Sequence, residues 1–197
     1  MVNSGRVRRQ RLSVDDRRAQ LLRVCLRIIG TDPWDVVTMA DIAAAAGVSK
    51  PLLYHYYSTK SDLYLAAVRA AADELREATK PDPALRREAR LHQALRTHID
   101  WIDANALAYR AILHGGISAD PVVQAIVEES RAEVVTRIAE GSGLRRLSPG
   151  LRIALRGWVG FLEGACLDWL ASRDISKSQL VRILAASVPG AVKAADA

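Results

Sequence analysis

The sequence predicts an all-α chain in which a lobe of three short helices is followed by a longer helical body. Three observations carry this prediction. Apolar residues recur at intervals of three and four along most of the chain, the spacing that puts them on one face of a helix. Alanine is abundant and aromatic residues are only 5% of the total, a balance that favours helices over sheets. Short clusters of Gly, Pro, Ser, Thr and Asp interrupt the periodic stretches where helices would start and stop. Half of the 197 residues are apolar, enough for one large or two small cores.

Residues 1–12 carry four Arg and little apolar content, so they are expected to form a basic arm that is disordered in the free protein. The first helix should start at Ser13, whose hydroxyl can accept from free N–H groups, with Asp15 and Asp16 in its first turn. Leu21, Leu22, Cys25, Ile28 and Ile29 form its inner stripe, and Gly30 is expected to stop it. Residues 31–37 make the turn that follows, with Trp34 as a core plug.

Residues 38–60, TMADIAAAAGVSKPLLYHYYSTK, predict two short helices joined by a tight turn. Thr38 can cap the first, and Asp41 puts a carboxylate beside the same free donors. Ala43, Ala44, Ala45 and Ala46 allow close approach by another helix, and Gly47 supplies the positive φ that turns the chain. Ser49 can cap again, and Pro51 falls in the first turn, where a missing N–H is harmless. Val48, Leu53 and Tyr57 share the inner face. Lys50, Leu52, Tyr54, His55 and Tyr56 lie on the other faces. A row of one cation, one aliphatic, one imidazole and two phenols suits a DNA groove: Lys for guanine or phosphate, Tyr hydroxyls for phosphate, Leu for a thymine methyl. The alternative is that Leu52, Tyr54 and Tyr56 pack against the helix that follows.

A long amphipathic helix over 63–79 carries Leu63, Ala66, Ala67, Ala70, Glu74 and Leu75 on its faces and ends at Pro81 and Pro83. In the body, Leu85, His92, Leu95, Ile99 and Ile102 recur at helical spacing. Residues 105–114 form a short helix closed by Gly115 and Gly116. Val122, Val123, Ile126, Val127, Val134 and Ile138 stripe another, which starts after Asp120 and Pro121 and ends near residues 141–143. The apolar run 149–173 is interrupted by Arg152, Arg156, Glu163 and Asp168, a charge density that no bilayer helix would tolerate, so it is buried in protein. Along it Gly157, Gly160 and Gly164 line up on one face at about 1 kcal/mol each in helix propensity. Close approach by another helix would offset that. Together with Leu180, Leu184 and Val188 of the next helix they predict a face for a symmetric partner, an intramolecular contact for the glycines being the alternative.

The charge distribution is uneven. Residues 1–60 hold ten Lys and Arg against five acids, which accounts for +5 of the net +6. A basic lobe on a nearly neutral body is the electrostatic footprint of a protein that binds a polyanion. Cys25 and Cys166 have no metal-type spacing and read as small core residues in a reducing cytoplasm. No Gly-rich phosphate loop, metal-ligand cluster or nucleophile motif is present, and four scattered His give no triad spacing, so neither catalysis nor a cofactor is expected.

The stretch DIAAAAGVS at 41–49, LYHYY at 53–57 and STKSDL at 58–63 resembles the helix-turn-helix of the TetR family of transcriptional regulators. The resemblance is specific over about 13–65 and architectural beyond. It implies a DNA-binding helix-turn-helix domain over 13–60 and a helical ligand-binding and dimerisation domain over 61–197. Carried over by position, phosphate contacts fall on Thr38, Tyr54, Tyr56 and Lys60, and base-reading positions on Lys50, Pro51, Leu52 and His55, with Ser49 at the head of the same helix. Leu52 departs from the small or hydroxylated residue usual there. The basic arm, like those of other helix-turn-helix proteins, could follow phosphates or enter a minor groove; a solvated tail is the alternative.

The same resemblance implies a homodimer joined by its last two long helices and bound to a palindromic operator on double-stranded DNA. It also implies a repressor released by a small effector that is bound in a pocket of the body. The polar and aromatic candidates to face that effector are His92, His98, Trp101, Tyr109, Trp158, Phe161 and Glu163. Aliphatic surroundings favour a lipophilic ligand, acyl or aromatic. Glu163 lies in an apolar helix and needs a partner, either an Arg across the dimer or a cationic effector. A constitutive or architectural DNA-binding dimer without an effector is the competing expectation.

Overall fold

The computed structural model describes residues 12–32, 34–114, 120–143 and 146–195. Among them it has nine α-helices and no strand: α1 (Val14–Thr31), α2 (Met39–Ala45), α3 (Lys50–Tyr56), α4 (Lys60–Ala78), α5 (Arg87–Ala104), α6 (Ala106–His114), α7 (Pro121–Gly141), α8 (Pro149–Ser172) and α9 (Lys177–Ala195). The expected arm, apart from Leu12, and the closing pair Gly115 and Gly116 lie outside the described residues.

Side-chain caps set most of the starts. Ser13 Oγ accepts from Asp16 N at 3.0 Å, Ser148 Oγ from Leu151 N at 3.1 Å, and Asp120 Oδ1 from Val122 N at 2.8 Å, ahead of Pro121. Each satisfies a donor that the helix cannot. The long helix α4 starts at Lys60 rather than at 63, because Thr59 and Asp62 form a reciprocal capping box. The polar residues just before Leu63 are its cap and first turn.

Gly30 does not stop α1, which continues to Thr31. It lies where α6 crosses: a Cβ there would stand 2.7 Å from Ala108 N and would also press on the Leu107 side chain. The glycine is required by close packing. For the same reason α1 buries Val24 and Leu26 as well as Leu21, Cys25 and Ile29: it packs on α4, α6 and α2, so it braces the N-terminal lobe and also docks onto the body.

Two main cores result. The lobe core joins Leu21, Cys25 and Ile29 of α1 to Ile42 and Ala43 of α2, Leu53 of α3, and Leu63, Tyr64 and Val68 of α4, and it is sealed by Val123 and Ile126 of α7. The body core joins Leu95, Ile99 and Ile102 of α5 to Leu155, Trp158 and Leu162 of α8 and to Leu180, Leu184 and Val188 of α9. Each large aliphatic side chain so buried contributes about 1.5–3 kcal/mol. Leu180, Leu184 and Val188 are therefore no partner face: they are 2%, 0% and 5% exposed inside their own chain. Cys25 and Cys166 are buried free thiols whose pKa burial pushes up to about 12, leaving them protonated and inert.

Candidate nucleic-acid interface and helical cavity

The helix pair α2–α3, the DNA reader that the sequence leads one to expect, is fixed by its ends. Thr38 Oγ1 accepts from Asp41 N at 3.3 Å and donates to Asp41 Oδ2 at 2.6 Å, while Thr38 N donates to the same oxygen at 2.9 Å. The Thr38 hydrogen bonds hold the Asp41 carboxyl below the usual range, so it stays ionised at the positive end of α2. Gly47 takes φ 64° in the turn, a conformation a side chain would resist. Ser49 Oγ then accepts from Leu52 N at 3.3 Å and starts α3 with Pro51 in its first turn.

Only Leu53 of α3 is fully buried, with Tyr57 just beyond it. Lys50, Pro51, Tyr54 and His55 stand exposed together, and Leu52 and Tyr56 are half-buried at the edge of the row. Lys50 Nζ lies 5.9 Å from the Tyr54 ring centroid, and His55 meets Tyr56 edge-on at 5.6 Å. The geometry presents a cation, a phenol and an imidazole on a helix too short to bend away, which is chemistry for phosphates and base edges.

Lys60 is placed otherwise than expected. Its ammonium turns inward, donating to the carbonyls of Trp34 at 2.7 Å and Val37 at 2.9 Å, and lies 4.9 Å from the Trp34 ring centroid. It ties the start of α4 to the turn before α2, and Trp34 in turn packs on Tyr64 at 4.8 Å. Sequence reasoning also missed Gln20, whose Nε2 donates to the Ala46 carbonyl at 3.1 Å and fixes the reader's turn from α1. Its signal was register, since Gln20 is one helical turn before the buried Val24.

In the body, α4 to α9 enclose a cavity of about 1240 Å³. His92, His98, Trp101, Tyr109, Trp158 and Glu163 all line it, among mainly aliphatic residues. Phe161 does not: it is 45% exposed on the opposite side of α8. Arg87, Glu140 and Lys193, exposed lining residues, mark an open end where α5 starts and α7 and α9 finish. At the other end Val68 and Ile126 belong both to the cavity wall and to the lobe core.

Glu163 finds its partner in the same chain. It accepts from Arg131 Nε at 2.8 Å and Nη2 at 2.7 Å, and Arg131 also donates to Glu128 at 2.6 Å, which Arg156 reaches at 2.9 Å. The hydrogen bonds that Arg131 donates to Glu163 and Glu128 push the guanidinium pKa up, so Arg131 keeps its charge at any ordinary pH. Trp101 Nε1 donates to Glu74 at 3.1 Å and Trp158 Nε1 to Ser187 at 2.8 Å.

The outer face of α8 carries Gly157, Gly160 and Gly164, and a Cβ added to any of them would meet nothing within 4 Å. Among the described residues, no other helix comes within reach of them. Phe161, Ile153 at 63% exposure and Ile183 of α9 at 48% make up the rest of an open apolar strip. Among the described residues, no helix is long and apolar enough to cross a membrane, and no group of His, Cys, Asp and Glu could hold a metal ion.

Comparison with known proteins agrees with both halves. Residues 21–67 match the family described as bacterial regulatory proteins, tetR family, and residues 87–188 match the tetracyclin repressor-like C-terminal domain. Over 186 residues the chain is 32% identical to the HTH-type transcriptional activator FasR of Mycolicibacterium smegmatis, covering 90% of this chain and 83% of that protein. A tetR-family transcriptional regulator from Streptomyces coelicolor has TM-score 0.82 at 28% identity, over 93% of this chain and 83% of that one. The transcriptional regulator FadR from Bacillus subtilis, in complex with stearoyl-CoA, shares the fold with TM-score 0.68 at 14% identity, over 86% of this chain and 96% of that one.

Proposed function

We propose, from the premise that the chain belongs to the TetR family, that it binds a palindromic operator as a homodimer and that a lipophilic effector in the cavity changes its hold on that operator. Family membership makes it a DNA-binding transcriptional regulator and not an enzyme. On this reading it acts in the cytoplasm, where the chromosome is.

The observation that carries the effector reading is the shared wall. Val68 on α4 and Ile126 on α7 line the cavity and also pack in the lobe core. A ligand that fits one tilt of α4 better than another biases the lobe by its differential affinity for the two arrangements. The volume exceeds that of an ordinary drug-sized pocket and suits a long chain. The stearoyl-CoA bound by the fold relative from Bacillus subtilis supports an acyl chain here.

Dimerisation would use the open strip of α8 and α9, where Gly157, Gly160 and Gly164 let a second backbone come close. Two copies of α3 would then face successive major grooves roughly 34–36 Å apart. Phosphates would be met by Tyr54, Tyr56 and Thr38, and base edges by Lys50, Pro51, Leu52 and His55.

Repression is the sign the resemblance alone implies. The likeness to FasR, named an activator, over 90% of the chain favours activation, and a promoter fusion in cells with and without the gene decides between them. The competing reading, a constitutive dimer, makes its own prediction. Stearoyl-CoA added to the protein–operator complex should raise the melting temperature and change operator affinity; neither change at saturating ligand would leave the constitutive dimer.

A further inference from the structure

Most hydrogen-bonding groups in the cavity wall are committed. Arg131 and Glu163 hold each other, and the two Trp N–H groups donate to Glu74 and Ser187. Arg76 Nε has no hydrogen bond but lies 3.7 Å from a carboxylate oxygen of Glu133. Two groups on facing helices differ from these. His98 Nε2 on α5 and Tyr109 Oη on α6 are buried atoms without a hydrogen-bond partner among the described residues, and both residues line the cavity. Tyr109 is only 7% exposed, and the rings meet edge-on with centroids 6.4 Å apart. Leaving such atoms unpaired costs more than a typical hydrogen bond contributes.

We propose that the effector carries an uncharged oxygen, a hydroxyl or keto group part-way along its apolar chain, and that His98 and Tyr109 bind this oxygen; the proposal rests on the lipophilic-effector reading above. The chemistry of the pair selects the class. A neutral imidazole offers one donor and one acceptor, and the phenol offers both, so they match a hydroxyl or carbonyl. Desolvation keeps the imidazole neutral by drawing its pKa down to about 4. Arg131, the cation whose field reaches Tyr109, is already held by Glu163 and Glu128, so a carboxylate here would have to break an existing ion pair. The position is well inside: His98 is eleven residues along α5 from the exposed Arg87 at the open end, roughly 16 Å at the helical rise. A head group at the mouth would leave the oxygen far down the chain.

The test compares stearic acid with a set of hydroxystearic acids differing in hydroxyl position, by calorimetric titration of the full chain. At least one isomer should bind about tenfold more tightly than stearic acid. Tyr109→Phe and His98→Phe should each bring the ratio of that isomer's affinity to that of stearic acid down to near one. Should His98→Phe fail to fold, Tyr109→Phe, which removes one oxygen, still reads the effect. Equal binding of all isomers and stearic acid, or an advantage that survives both substitutions, overturns the oxygen site and leaves the lipophilic cavity intact. Failure of every compound to bind overturns the oxygen site, and failure of stearoyl-CoA as well overturns the lipophilic-effector reading.

Discussion

Arg131 of α7 and Glu163 of α8 form a two-pronged ion pair in the cavity wall, at 2.8 and 2.7 Å, with side chains 23% and 18% exposed. Little water reaches it. Glu163→Leu strands a mostly buried guanidinium that Glu128 only partly satisfies, and should cost about 1–3 kcal/mol in urea unfolding. Replacing both residues, Arg131→Met with Glu163→Leu, should restore most of the loss. A double variant as unstable as the single one would mean that the pair's charges are not what matters.

The Lys60 ammonium donates to the carbonyls of Trp34 and Val37, whereas Lys50 stands exposed at the head of α3. Lys60→Met should lower the melting temperature, by about 1–2 kcal/mol of stability, and weaken DNA binding through the misplaced reader. Lys50→Ala should leave the melting temperature unchanged and weaken DNA binding alone. Equal effects of the two on stability would contradict this division.

Gly160 faces open space in the single chain. Gly160→Leu should leave monomer stability unchanged or raise it by up to about 1 kcal/mol through helix propensity, yet abolish the dimer in sedimentation. A dimer that survives would place the interface elsewhere.

His98 gives a pH signature. Its pKa in the fold is about 4, against about 6.5 in an unfolded chain. Between these values the unfolded state binds more protons, so its contribution to stability is full above pH about 6.5 and is lost as pH falls towards about 4. The slope is at most about 1.4 kcal/mol per pH unit. Unfolding followed between pH 7 and 5 should flatten in His98→Phe; parallel curves would mean that the imidazole titrates freely.

The reader was legible because its signals are local. Thr38, Asp41, Gly47 and Ser49 act within a few residues of themselves, and the structure uses each where the spacing put it. The body's helices followed from periodicity, but their faces did not. A stripe such as Leu180, Leu184 and Val188 looks the same whether a neighbouring helix or a second chain covers it, and here α5 and α8 do. Trp158 and Phe161 are three residues apart on a helix apolar nearly all round, so only packing decides that one lines the cavity and the other faces out. Lys60 was misplaced because a cation beside a recognition helix suggests phosphate, while the carbonyls it satisfies come from residues more than twenty positions earlier.

Whether α3 reads a specific DNA sequence is tested most directly by retention of genomic fragments by the purified protein at two salt concentrations, followed by sequencing. The expected result is one palindromic sequence retained at both, and lost when Lys50 and His55 are changed to Ala. Uniform retention that vanishes with salt and is unchanged in the variant would mean that the basic lobe grips phosphate alone.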